Sequence, residues 1–262
     1  MKITYFGLSS FLIENDKGYR VLVDPFNDSP EWTLGPSFPR EYNGQPFGAN
    51  LVLMSEPDAD HSYTPGDWLE KAPKTKPNSE PFPNLNLKGT VVYEHNGDLN
   101  IAWHYTVDGI CLAHFADNAH LLTEAQLAEI SQPDVIFISP PKASSENTDA
   151  LDIVRENIKK LNPKIIIWAH HIAPVDLPTS EDPQVLREYF AEYFTKRANT
   201  NKNYKDSQSF ISLCYVYENA LLLNKEYNGE ILDIPSIEIG SESLPDKPKS
   251  YLFRNMYSGS NR

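Results

Sequence analysis

The stretch LVLMSEPDADH, residues 51–61, decides how this chain is read. Residues 51–54 are apolar without interruption, the pattern of a short strand buried on both faces. The run stops abruptly in a polar segment that offers Glu56, Asp58, Asp60 and His61. Metal ligands need lone pairs on short side chains held by rigid backbone, and a strand end supplies that backbone. Three acidic groups within five residues repel one another unless a cation or raised pKa values relieve them.

The arrangement recurs twice. Residues 110–113 are apolar and lead into HFADNAH, with His114, Asp117 and His120; residues 165–168 lead into AHH, with His170 and His171. Each cluster alone reads equally as a solvated turn or a hydrogen-bonded structural histidine, because Asp favours turns. Three clusters, each beyond an apolar strand of an acidic chain, point jointly to one site. In open α/β sheets ligands bind beyond the strand ends, where several loops meet. Asp24 ends another strand, 19–23, at the Asp24-Pro25 stop. A turn residue before proline and a hydrogen-bonding partner for a ligand histidine are both open readings there. His104 lies within a strand and reads as structural, and His171 as a neighbour filling space beside His170.

Working outward, runs 3–6, 11–14 and 19–23 form an opening strand meander. Strands resume at 90–93, 101–106, 110–113, 135–139 and 165–168, alternating with helices at 123–130, 147–161 and 184–197. Thr123 is the expected N-cap of the first helix. A further strand is expected at 210–217, and an extended tail rich in Pro, Ser and Lys thereafter. Residues 62–89, with Pro65, Pro73, Pro77, Pro81 and Pro83, read as an ordered loop or lid. The aromatics Trp32, Phe38, Tyr42 and Phe47 of the first long loop read as a satellite core. A meander followed by alternating strands and helices argues for sheets covered by helices in a single domain. It spans 1–225, with 226–262 as a C-terminal extension packed on it or trailing from it.

The formal net charge of −13 repels phosphate backbones and anionic lipid, so neither nucleic acid nor membrane is an expected partner. A small-molecule substrate is the expected partner, and homo-oligomerisation stays open. The two cysteines, Cys111 and Cys214, sit in apolar runs and are expected as buried free thiols, which fits a reducing, cytoplasmic compartment. The N-terminal MKITYFGLSSFLIEND reads as a strand and not a signal peptide. No apolar run approaches the length of a membrane span.

Several segments together resemble the metallo-β-lactamase superfamily, in particular small metal-dependent hydrolases related to ascorbate-phosphate lactonases. These are MKITYFGLSSFLIE with YRVLVDPF, then NLVLMSEPDADHS, DGICLAHFADNAHLLTEAQLAEI, and PDVIFISPPK with NPKIIIWAHH. The resemblance covers roughly residues 1–172 and implies a four-layer αββα sandwich. NLVLMSEPDADHS stands where the family carries His-x-His-x-Asp-His. Glu56 and Asp58 replace the two leading histidines, Ala116 replaces a customary Gly, and Trp168 a customary Pro. The resemblance implies one metal on Asp60, His61 and His170. A second would take Glu56, Asp58 and a histidine from mid-chain, His95 ahead of its rival His114, with Asp117 bridging both. Asp24 and His114 would then orient ligands. The family implies zinc, while the carboxylates at 56 and 58 shift preference toward manganese, iron or magnesium. If that half of the site is empty, one metal remains.

The reaction these expectations imply is metal-assisted hydrolysis of a small-molecule ester, lactone, amide or phosphoester, with Asp60 orienting or deprotonating the attacking water. Two rival readings follow from the same residues. Glu56 and Asp58 turned to solvent would mark an inactive binding or scaffold protein. A carboxylate-rich di-iron site would mark an oxidoreductase, although no flavin-binding segment is visible in the chain.

Overall fold

The computed structural model describes residues 1–26, 38–63, 82, 84–144, 146–174, 176–200 and 208–258. In chain order the elements are β1 (Lys2–Gly7), β2 (Ser10–Glu14), β3 (Arg20–Val23), β4 (Glu41–Tyr42), β5 (Gln45–Pro46), β6 (Leu51–Leu53), β7 (Lys88–Tyr93), β8 (Leu99–Val107) and β9 (Ile110–His114). There follow α1 (Glu124–Ile130), β10 (Val135–Ile138), α2 (Thr148–Leu161), β11 (Ile165–Trp168), α3 (Pro183–Thr200), α4 (Gln208–Glu226), β12 (Glu230–Leu232), β13 (Ser236–Glu238) and β14 (Lys249–Phe253).

Two sheets face each other. One has the order β13-β1-β2-β3-β6, the other β12-β14-β11-β10-β9-β8-β7, and β4-β5 forms a small separate hairpin. Strand alternation builds the interface. Tyr5 points inward, stacking on Phe253 at 5.4 Å, and Phe11 meets Phe137 at 4.7 Å. Phe6, one residue along β1, points outward into a cluster with Phe38, Tyr42, Phe47 and Tyr257. The outer face of the five-stranded sheet is thus covered, among the described residues, by the aromatics expected to form a satellite core. Trp32 and most of 62–89, including all five prolines noted there, lie outside the described residues.

Helices flank the seven-stranded sheet, giving the α/β sandwich that the strand and helix pattern implied. Helix α1 starts at the expected Thr123, which forms a capping box with Gln126. Helix α2 is capped by Asn147 and buries Leu151, Val154, Ile158 and Leu161, spaced to lie on one face. Among the described residues no helix is long and apolar enough to cross a membrane.

Three expectations are corrected. Residues 210–217 are not a strand; they belong to α4, whose Leu213, Cys214, Val216, Tyr217, Ala220, Leu221 and Leu223 are all buried. A helix packed between α3 and β14 is apolar nearly all round, so its 3.6-residue period is masked. The C-terminal stretch is not a trailing tail. β13 pairs with β1, and β14 lies between β11 and β12, so this segment completes both sheets. Cys111 is exposed, because β9 turns that one position outward, while Cys214 is buried.

The topology that matters for chemistry is at one end of the sandwich. β3, β6, β9, β10 and β11 end there, and a bridge between Leu8 and His171 ties the two sheets together beside them. Leu8 N–H donates to His171 O at 2.6 Å and His170 N–H to Leu8 O at 2.7 Å.

Candidate metal centre

Asp24 is the lowest layer of the site. It follows β3, is fully buried, and its N–H donates to Leu53 O at 2.9 Å. Its carboxylate accepts from Ser55 N–H and Ser55 Oγ–H, both at 2.8 Å, and lies 3.0 Å from His61 Nδ1. Those bonds fix the start of the 55–61 loop and the plane of the His61 ring. With Nδ1–H donated to Asp24, His61 presents Nε2 to the loop cluster above.

Three carboxylates converge on that nitrogen and on its counterpart in His170. His61 Nε2 lies 2.9 Å from Glu56 Oε1, 3.6 Å from Asp60 Oδ2 and 3.8 Å from Asp117 Oδ2. His170 Nε2 lies 3.1 Å from Asp117 Oδ2 and 3.5 Å from Asp60 Oδ2. The two rings stack with centroids 5.4 Å apart. His61 Nε2, both ring nitrogens of His170 and Asp117 Oδ1 are buried without a hydrogen-bond partner of proper geometry among the described residues. Buried polar atoms left so are rare and call for an explanation. A cation is that explanation, since Asp60, His61 and His170, and equally Glu56, His61 and Asp117, present donor atoms all within 4.8 Å of one another. The residues present therefore fit a divalent ion.

The electrostatics agree. Burial raises the carboxyls of Asp60 and Asp117, but the neighbouring histidines, with Lys142, outweigh it and hold both below the usual range. Burial lowers His61, yet Asp24, Asp60 and Glu56 outweigh it, so that without metal the imidazole stays protonated well above its ordinary range. Lone pairs that bind protons this strongly also bind metal, and metal uptake must then expel a proton.

Other expected residues are placed differently. Asp58 is exposed on the rim and His95 is exposed in the β7–β8 turn; both line the adjoining cleft and neither joins a donor cluster. One position before His95, Glu94 turns inward and is buried. Burial, Glu56 and Asp117 push its carboxyl up to about 8. Alternation along β7 was the signal for Glu94: Thr90, Val92 and Glu94 are buried while Val91, Tyr93 and His95 are exposed. His114 sits beneath the site. Its Nε2–H donates to Ser9 O at 2.8 Å and its Nδ1 accepts from Ala116 N–H at 3.3 Å, which holds the turn that aims Asp117. Burial keeps it neutral. His171 donates to Phe253 O at 2.9 Å, burial lowers it to about 4, and Tyr5 stacks on it. His104 meets Thr90 Oγ1 at 3.2 Å and His120 donates to Glu94 O at 2.8 Å.

Lys142 was not expected at all. It follows β10 in SPPK, on a loop clamped by Asn219 of α4, whose amide donates to Pro141 O at 2.9 Å and Ala143 O at 2.8 Å. Its ammonium forms a short ion pair with Asp117 Oδ2. A run of two prolines before a lysine carried no metal-ligand signal in the sequence. Beside these groups opens a cleft of about 610 Å³, lined by Asp60, Asp117, Lys142 and His170 and walled by apolar residues such as Leu8 and Val154.

The family profile described as a β-lactamase superfamily domain matches residues 2–170. The chain belongs to the metallo-β-lactamase superfamily. Every strand end that carries a site residue lies within the matched span. Among solved structures, a metallo-β-lactamase superfamily protein from Thermotoga maritima is 20% identical with a TM-score of 0.51, over 96% of this chain and 97% of that one. CmlA, a diiron β-hydroxylase from Streptomyces venezuelae, is 12% identical with a TM-score of 0.46, over 86% and 50%. An isothiocyanate hydrolase from Delia radicum gut bacteria is 15% identical with a TM-score of 0.43, over 74% and 93%. No curated protein matches the sequence. At these identities the likeness concerns the superfamily's fold, and the chemistry rests on the site itself.

Proposed function

We propose that this superfamily member is a metal-dependent hydrolase of small molecules. The observation that carries the proposal is the convergence of Glu56, Asp60, His61, Asp117 and His170 around buried imidazole nitrogens that have, among the described residues, no hydrogen-bond partner of proper geometry. When bound there, a divalent ion supplies Lewis acidity and lowers the pKa of water toward neutrality. The protein does the rest. Asp24 and Ser55 hold His61 in the tautomer that leaves Nε2 free. His114 and the tie to Ser9 hold Asp117 in place. Asp60, less buried than its neighbours and lining the cleft, is the carboxylate placed to orient a water or take its proton. The cleft has the volume of a small-molecule site, and its apolar wall supports binding of an ester, lactone, amide or phosphoester. The ascorbate-phosphate lactonase-like branch is proposed from the opening strands and strand-end clusters.

An inactive scaffold would have Glu56 and Asp58 turned to solvent; Asp58 is exposed, but Glu56 is buried against His61. One observation favours a redox reading. Glu56, Asp60 and Asp117 outnumber His61 and His170 at the cluster, a donor set suited to iron or manganese. Elemental analysis of protein purified without chelator tests both readings together with a hydrolysis panel of the four bond types. The hydrolase reading expects stoichiometric metal, turnover of at least one bond type, and loss of both in His61→Ala. Absence of stoichiometric metal with no thermal stabilisation on adding manganese or zinc would sink it. Iron with oxidase turnover and no hydrolysis would replace it.

A further inference from the structure

We infer that this centre holds one metal ion, and that the Lys142 ammonium stands where a second ion would bind. The inference rests on the metal-dependent reading above and concerns how many ions the site takes.

The donor distances carry the first half. Bonds of about 2.1 Å place neighbouring ligands of one ion roughly 3.0–3.4 Å apart, or somewhat wider in open geometries. The contacts among Glu56, Asp60, His61, Asp117 and His170 run from 2.9 to 3.8 Å. Asp60, His61, Asp117 and His170 close a ring of such contacts and so fit a single coordination sphere, with Glu56 joined to it through His61. The two donor groups are not independent either, because both use His61. Two ions in a shared site sit about 3.5–4 Å apart and need separate ligand sets. Among the described residues the second set is incomplete: Asp58 and His95 are exposed and stand outside both donor groups, which leaves only Glu56, with Glu94 against it, and Asp117 for a second, weakly held ion.

Lys142 carries the second half. Its Nζ contacts Asp117 Oδ2, the same oxygen that faces His61 and His170, and it is attracted by Asp60 and Glu94 as well. A second ion approaching Asp117 beside the first would meet the ammonium there. An ammonium on its outer lone pair offers a positive charge but no coordination site. It also offsets the surplus carboxylate charge that Glu56 brings in place of histidine. The Asn219 clamp on both sides of Lys142 makes its loop position part of the fold.

The test counts ions. Chelator-stripped protein is dialysed against manganese or zinc and its bound metal measured by plasma mass spectrometry, with manganese electron paramagnetic resonance on the same samples. Wild type is expected to bind one equivalent and show an uncoupled six-line signal. Lys142→Met should take up a second, weaker equivalent and show spin coupling, while Lys142→Arg, which keeps the charge, should stay at one. Thermal melting of each stripped variant confirms that it is folded. Two equivalents in wild type would overturn the inference and leave the hydrolase reading standing. One equivalent in folded Lys142→Met would overturn the role of Lys142. No metal in wild type would remove the underlying reading itself.

Discussion

Replacing Asp24 with Asn should weaken metal binding although Asp24 touches no metal. The Asp24 carboxylate accepts three hydrogens: Ser55 N–H on Oδ1, and Ser55 Oγ–H and His61 Nδ1–H on Oδ2. An Asn side chain can keep its oxygen on Ser55 N–H, but its amide then turns N–H toward Ser55 Oγ and His61. His61 must respond by accepting at Nδ1 and carrying its proton on Nε2, the atom 2.9 Å from Glu56. In wild type the proton that metal uptake expels leaves Nε2 while Nδ1–H stays on Asp24; in the variant the remaining proton sits on Nε2 with no acceptor for it at Nδ1, so each binding event must also undo the wrong tautomer. Loss of such a partner typically costs about 10–100-fold in metal affinity, which corresponds to about 1.4–2.8 kcal/mol. Competition against a chromophoric chelator at fixed pH measures this directly. Thermal melting of the stripped proteins supplies the control, where loss of a buried charged hydrogen bond costs on the order of 2 kcal/mol. If folded Asp24→Asn binds metal within threefold of wild type, the tautomer argument fails.

Two further outcomes follow from the geometry. Ala116 sits at φ 44° in the turn before Asp117. Ala116→Gly should fold and retain metal, whereas a β-branched Ala116→Val should lose at least about 2 kcal/mol by denaturant unfolding; equal stability of the two variants would refute the strain. In metal-free protein Glu94 titrates near 8 instead of its ordinary 4.5. A folded-state pKa above the unfolded one means the folded chain holds the extra proton between those values, so its contribution to stability is present below about pH 4.5 and lost as pH rises toward about 8. Melting temperatures of stripped wild type and Glu94→Gln should therefore diverge across that window, with Glu94→Gln the flatter; parallel profiles would contradict the assignment.

The readable parts of this chain were those where local pattern and tertiary role agree. The apolar runs at 51–54, 110–113 and 165–168 are buried or half-buried strands over nearly all their length, and the capping box at Thr123 starts its helix as its residues require. Asp60, His61, Asp117 and His170 meet because they follow such strands. What failed to show was set by neighbours distant in sequence. Helix α4 looks like a strand because packing against both α3 and the sheet makes it apolar nearly all round. β14 looks like a tail because a single short strand gives no sign that it will insert beside β11. The family resemblance points to His95, at the end of the 90–93 strand, whereas strand alternation turns Glu94 inward and His95 outward. Lys142 has no local signature, and only the fold brings β10 beside β9 and so its ammonium beside Asp117.

The backbone at the strand ends explains why the site survives a changed ligand motif. Asp24 has φ 45°, Ala116 φ 44° and His170 φ 57°, and none of the three is glycine. Each stands just beyond β3, β9 or β11, where a left-handed residue reverses the chain and swings the next side chain over the end of the sheet. Such conformations cost roughly 1–2 kcal/mol each and persist only where their surroundings over-determine them. Here the surroundings are visible: Leu53 O holds Asp24 N–H, His114 Nδ1 holds Ala116 N–H, and Leu8 O holds His170 N–H. The three hooks are thus fixed by β6, β9 and the β1–β2 turn, independently of what residues 56 and 58 are. Changing those two positions alters the charge of the centre. It leaves the directions of Asp24, Asp117 and His170 intact, so a retained donor set in an altered charge environment is what this architecture permits.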